Sequence, residues 1–221
     1  SIRPEAMLAG FEGYLTADAY IAYERIGQLW PGIFKASCWV HGRRKFEACH
    51  HLGATDQTCT ALAYFRQLFD IEDKYRSCSD EVRLAARQVK SRPIVDCFHD
   101  WLESQLRRQL PKSKLAGAIH YMLNRWESFT RFLESGAIPM DNNAAERALR
   151  RGVLWRKRSF GSQSERGLRS TERILTVVTT LRQQERNVLE YLTAACQAQH
   201  LGLPAPSLLP VNSEFDTAFT N

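Results

Sequence analysis

Leu115, Ile119, Met122, Leu123, Trp126, Phe129 and Leu133 recur at helical spacing for about five turns and stop at Ser135-Gly136. An apolar stripe of that length has to be buried against other helices, so much of the chain is committed to helix packing. The spacing predicts one continuous helix closed by Gly136 as a left-handed cap. Two stripes precede it: Leu62, Phe65, Leu68 and Phe69, then Ile94, Phe98, Trp101, Leu102 and Leu106, the latter entered through Pro93 at a helix start. Residues 55–136 are therefore expected to be all-helical, and the stripes are core rather than cofactor boxes.

The chain begins differently. Residues 14–17 (YLTA) form a strand-like run that ends at Asp18, and residues 20–27 have helical spacing with a Gly stop. Residues 34–40 (FKASCWV) are dense enough in apolar side chains for a strand buried on both faces. Residues 41–51 then read as a helix with a basic face of Arg43, Arg44 and Lys45. Strand, helix, strand, helix predicts an α/β sheet over residues 1–54, so the expected class is α/β but mostly helical. After Pro139 a helix is expected to start near 141–143 and to run through Glu146, Leu149 and Val153. A polar, glycine-bearing loop follows at 159–167. Beyond it lie a long helix bearing Ile174, Val177, Val178 and Leu181, and a shorter one that Asn187 caps. These elements fill residues 137–202. The Pro-rich stretch 203–221 is expected to lack fixed structure.

Composition narrows the partners. With 44% hydrophobic residues among 221, the chain can bury a real core, and 30 Lys and Arg against 24 Asp and Glu favour a polyanionic partner. Cys38, Cys49, Cys59, Cys78, Cys97 and Cys196 lack the paired spacing of a secreted disulfide framework, so a reducing cytoplasm is expected. No apolar run reaches membrane-spanning length, residues 1–10 carry no signal-peptide core, and no membrane partner is expected. No Walker-type loop, dinucleotide fingerprint or nucleophile motif is present. The chain starts at Ser1 and reaches a strand within fifteen residues, so it reads as part of a fold already under way.

The stretch 141–150 (DNNAAERALR) is the most informative chemically. Glu146 is either a capping-box carboxylate bonded back to the Asn143 amide, or a reactive carboxylate one turn into a helix beside arginines. Asp18 is either an ordinary strand-end cap or a second such group. Arg147, Arg150, Arg151, Arg156, Lys157 and Arg158 follow, interleaved with Trp155 and Phe160, and Arg166, Arg169 and Arg173 come after. Such a run is either a solvated face or a surface that neutralises phosphates and offers rings to unpaired bases. Arg43, Arg44 and Lys45 form a smaller second patch; phosphate contacts of this kind position DNA without reading its sequence. Cys38-x-x-His41 with Cys49, His50 and His51 invites a zinc reading, but the spacing is wrong for a common finger and Cys38 belongs to a core strand. His41 could instead face the active site or DNA.

Four blocks, GYLTADAYIAY (13–23), CWVHGRRKFEA (38–48), LNRWESFTRFLESGAIPMDNNAAERALR (123–150) and FGSQSERG (160–167), stand in the order found in transposases of the insertion-sequence-66 family, and the chain resembles that family from residue 13 to about 195. The resemblance implies a partial ribonuclease-H-like fold with an all-helical insertion and C-terminal helices, and an Asp-Asp-Glu triad. Asp18 matches the second carboxylate and Glu146 the third; the first belongs to an Asp-Glu-Thr-Pro motif that does not occur here. The family commonly has Gly where this chain has Ala19 and Pro where it has Arg151; neither change removes a carboxylate.

The implied activity is cleavage and strand transfer at transposon ends, with Mg²⁺ or Mn²⁺ as cofactor and two ions about 3.5 to 4 Å apart in the complete enzyme. Hard oxygen ligands suit such ions, so Asp and Glu are the natural residues for Asp18 and Glu146. Double-stranded DNA, as transposon ends and target, is the expected partner, with a homo-oligomer pairing the ends in a bacterial, nucleoid-associated setting. Lacking one metal ligand, the chain alone is expected to be inactive. The alternative is a non-catalytic basic module for DNA binding or assembly.

Overall fold

The computed structural model describes residues 8–159 and 161–209. The chain divides into two compact units, Ser1–Ala144 and Ala145–Asn221.

The first unit opens with strand β1 (Gly13–Ala17), helix α1 (Ile21–Leu29) and strand β2 (Ile33–Ser37). The strands run parallel, Gly13 opposite Ile33 and Ala17 opposite Ser37, with α1 as the crossover that parallel pairing demands. Helix α2 (Trp39–Leu52) follows at once. The strand predicted over 34–40 is therefore shorter: the Cys38 amide takes the Ala17 carbonyl as the last rung of the ladder, the Trp39 amide turns to Met140, and the chain coils into α2.

Helices alone come next: α3 (Asp56–Tyr75), α4 (Asp80–Ala86), a π-helical turn (Arg87–Ser91), α5 (Arg92–Leu106), α6 (Lys114–Leu123), α7 (Trp126–Thr130) and a 3-10 turn (Arg131–Leu133). Side-chain oxygens start several of them. Thr55 and Thr58 form a capping box for α3, Ser79 accepts from the Val82 amide and Ser113 from the Ala116 amide. Trp39 is the hub of the core. Its ring meets Phe65, Phe129 and Phe132 edge-on at 5.8, 5.4 and 5.6 Å, and its indole N–H donates to the Phe129 carbonyl at 2.8 Å. Such edge contacts each contribute about 0.5–1.5 kcal/mol beyond area burial.

The predicted single helix over 115–133 is broken. Arg125 has φ −128° and ψ 19°, outside helical values, and its side chain reaches Glu24 of α1, so the stripe divides into α6, α7 and the 3-10 turn. Gly136 is not a left-handed cap either; the described glycines with φ between +20° and +160° are Gly10, Gly13, Gly161 and Gly202. A Cβ on Gly136 would lie 2.0 Å from the Asp80 carbonyl oxygen, so the small residue permits a close backbone crossing.

Helix α8 (Asn143–Arg158) leads into the second unit, which contains α9 (Glu165–Gln183) and α10 (Val188–His200). Ser164 caps α9 through the Gly167 amide, and Asn187 caps α10 through the Leu189 and Glu190 amides, as its sequence position predicts. No residue of α8 is buried; Leu149, Val153, Leu154 and Trp155 are exposed. The stretch expected to lack structure from residue 203 lies outside the described residues beyond 209. Its described part bends back: Gln184 Nε2, Arg186 Nη2 and Tyr191 Oη donate to the carbonyls of Leu208, Ser207 and Pro206 at 2.9, 3.1 and 2.7 Å.

Candidate active site

The carboxyl ends of the two strands meet the segment that leads into α8. Asp18 directly follows the last residue of β1, and its Oδ1 accepts the Tyr20 amide at 3.1 Å, so the strand-end role is filled by one of its two oxygens. The parallel register sets Cys38 beside it, through the Cys38 amide on the Ala17 carbonyl at 3.1 Å. From the other side, Thr16 Oγ1 donates to the Pro139 carbonyl at 3.5 Å and the Trp39 amide to the Met140 carbonyl at 2.9 Å. Burial pushes the Cys38 thiol up and the nearby Asp141 charge adds to this, while backbone amides of Asn142, His41 and Val40 oppose it. Strand ends in parallel sheets are where ligand-binding groups collect, because the chain leaves the ladder there with its polar groups free to turn outward.

Oxygen dominates the donors at this corner. Asp141 Oδ1 accepts the Asn143 amide at 2.9 Å, and Asn142 Oδ1 is buried with no hydrogen-bond partner among the described residues. Together with Asp18 these are hard ligands of the kind a divalent cation of the Mg²⁺ class takes. Among the described residues no three His, Cys, Asp or Glu side chains gather into a ready metal cage.

Glu146 lies in the first turn of α8. Arg147, Arg150, Arg151, Arg156, Lys157 and Arg158 are all exposed along α8, and Arg166 is exposed at the start of α9. Phe160 lies outside the described residues. In the first unit, Arg43, Arg44 and Lys45 are exposed on α2, Arg43 offset by Glu47 at 2.9 Å.

Behind β2, Glu24 of α1 accepts from Lys35 and from Arg125 Nε, the latter at 2.9 Å. Burial alone would raise the Glu24 carboxyl; the Lys35 and Arg125 bonds outweigh it and hold it below its usual range. Tyr121 of α6 carries the Arg125 guanidinium over its ring at 4.9 Å. Burial raises its phenol, Arg125 opposes, and the charges of Cys38, Asp18 and Glu24 add to the rise. Asn142 and Tyr121 were not singled out from sequence. Asn142 looks like any polar residue before a helix, and Tyr121 sits inside an apolar stripe.

The Transposase IS66 family model matches residues 2–170 of this chain. An uncharacterised protein of Sinorhizobium fredii, y4hP, is 37% identical over 196 residues, which is 81% of this chain and 35% of that relative. A second from the same organism, y4qI, is 34% identical over 218 residues, 95% of this chain and 40% of its own length. The chain thus spans between 35% and 40% of the length of these curated relatives. No solved structure matches it significantly.

Proposed function

This chain belongs to the IS66 transposase family, and from that premise we propose that it carries two carboxylates of a metal-dependent DNA strand-transfer site, Asp18 and Glu146, on a ribonuclease-H-like catalytic domain. The observation that carries the reading is the corner at the strand ends, where bonds from Thr16 and Trp39 tie down residues 139–140 next to Asp18. Glu146 follows Asn142 by four residues in the sequence.

Asp18 and Glu146 would hold Mg²⁺ or Mn²⁺, two ions in the complete enzyme, whose positive charge stabilises an in-line displacement at phosphorus. The protein's own groups do the rest. One oxygen of Asp18 is held by the Tyr20 amide, and the other would take the metal. Glu146, as a metal ligand, would help activate an attacking water or 3′-hydroxyl, and the arginines of α8 would neutralise backbone phosphates of transposon-end and target DNA. The first carboxylate belongs to a segment outside this sequence, and a homo-oligomer pairs the two ends on the nucleoid.

The test is substitution in the complete protein. Asp18→Asn and Glu146→Gln are each expected to reduce cleavage of a labelled transposon end to background, with DNA affinity unchanged. Cleavage that survives both changes ends the triad assignment. The chain alone is expected to leave the same end uncut. A second reading, a basic DNA-binding or assembly module without catalysis, is supported by the exposed arginines along α8; it predicts that both variants of the complete protein cleave like the parent.

A further inference from the structure

Two cations share one aromatic ring beside the candidate site. Lys45 Nζ of α2 lies 5.1 Å from the centre of the Tyr121 ring, and the Arg125 guanidinium carbon lies 4.9 Å from it. The two are differently employed. Arg125 is half-buried, donates to Glu24 at 2.9 Å and to the Tyr121 carbonyl at 3.3 Å, and so spends its charge inside the protein. Lys45 is exposed.

Exposed lysines sample many rotamers, and ordering one costs entropy each time it meets a ligand. Seating over a ring removes part of that freedom in advance. The ring itself is fixed: Tyr121 is half-buried and packs on Phe129 at 6.1 Å, and Phe129 packs on Trp39 at 5.4 Å. Helix α2 starts at Trp39, next to the Cys38 rung that flanks Asp18. Six residues of α-helix place Lys45 about 9 Å along the axis from that start.

We propose that Tyr121 is a positioning residue that seats the Lys45 ammonium over its ring, where Lys45 takes a DNA backbone phosphate adjacent to the reacting one. The inference rests on the reading of this chain as part of a DNA-processing enzyme. It adds a specific subsite in the first unit, held by a tyrosine that the carboxylate chemistry does not use.

The experiment is a salt titration of duplex DNA binding by the full chain, followed by fluorescence anisotropy. Lys45→Gln should lower the slope of log affinity against log salt by about one phosphate contact. Tyr121→Leu should lower it equally, and the double variant should lose no more than either single change, because both remove the same contact. Tyr121→Phe keeps the ring and should restore the parent slope, which a role of the hydroxyl would not allow. An unchanged slope in Lys45→Gln or Tyr121→Leu, additive losses, or a Tyr121→Phe loss equal to that of Tyr121→Leu overturns the proposal. Should Tyr121→Leu unfold, the exposed Lys45→Gln change and Tyr121→Phe decide it. Absence of salt-dependent DNA binding by the unaltered chain overturns the DNA reading along with this inference, whereas a parent-like Tyr121→Leu overturns the inference alone.

Discussion

The backbone amide of Trp39 donates to the carbonyl of Met140 across 2.9 Å. One residue thereby joins three things: the end of β2, the first turn of α2 and the segment that enters α8. Its side chain adds a second tie, the indole N–H on the Phe129 carbonyl at 2.8 Å.

Trp39→Phe removes that buried donor and leaves the Phe129 carbonyl unpaired. The expected loss is about 1–3 kcal/mol for the unsatisfied acceptor, with a further cost for the cavity. Urea unfolding of the parent and variant measures it. An unchanged midpoint would mean that the indole bond contributes nothing.

Arg87 is fully buried and holds Glu72 through two contacts at 2.6 and 2.7 Å while donating to the Phe132 carbonyl at 2.8 Å. Arg87→Met strands the Glu72 carboxylate in a largely buried position and releases the chain ahead of Gly136. A loss of roughly 3–5 kcal/mol is expected. The double change Glu72→Met with Arg87→Met should recover much of it, since no lone charge remains; thermal melts of the three proteins decide.

Two glycine substitutions should have opposite signs. At Gly136 an added Cβ meets the Asp80 carbonyl oxygen at 2.0 Å, and Gly136→Ala is expected to destabilise by about 1–3 kcal/mol through overpacking. At Gly117, within α6, an added Cβ meets nothing within 4 Å, and Gly117→Ala is expected to stabilise by about 0.5–1 kcal/mol through helix propensity. Equal effects at both sites would count against the close crossing at Asp80.

Acid should weaken the first unit partly through Glu24. Its carboxyl is held below the ordinary value of 4.5 by Lys35 and Arg125 against the effect of burial. A group depressed on folding stabilises the protein above its unfolded-state value, and that stability is lost as pH falls through 4.5 toward the lower folded value. Glu24→Gln should therefore be less stable than the parent at neutral pH and should flatten the stability curve below about pH 4.5. Parallel curves for parent and variant across that window would refute the assignment.

Local signals in the sequence carried far, and contacts between distant segments did not. The apolar stripes, Pro93 at the start of α5, the Asn187 cap and the β1 strand ending at Asp18 follow from spacing and side-chain chemistry alone. The break at Arg125 does not, because the apolar period continues through it and the cause is a bond to Glu24 far away in sequence. Gly136 looked like a helix cap and serves a backbone crossing with Asp80. The run FKASCWV reads as one strand, yet Cys38 ends the ladder because the Trp39 amide is taken by Met140. At the candidate site Asp18, Glu146 and the basic residues were legible as types in a pattern. The orphan oxygen of Asn142 and the double occupation of the Tyr121 ring depend on packing and were not.

Gln184, Arg186 and Tyr191 lend their donors to the carbonyls of Leu208, Ser207 and Pro206, beyond the last helical turn. A Pro-rich stretch that looks like trailing linker is thus a strap across the α9–α10 hairpin. Shortening the protein at His200, the edge that helix assignment alone would choose, would leave these three side chains to water and loosen the hairpin's closing turn. The practical boundary of this unit for expression, tagging or fusion therefore lies past Leu208.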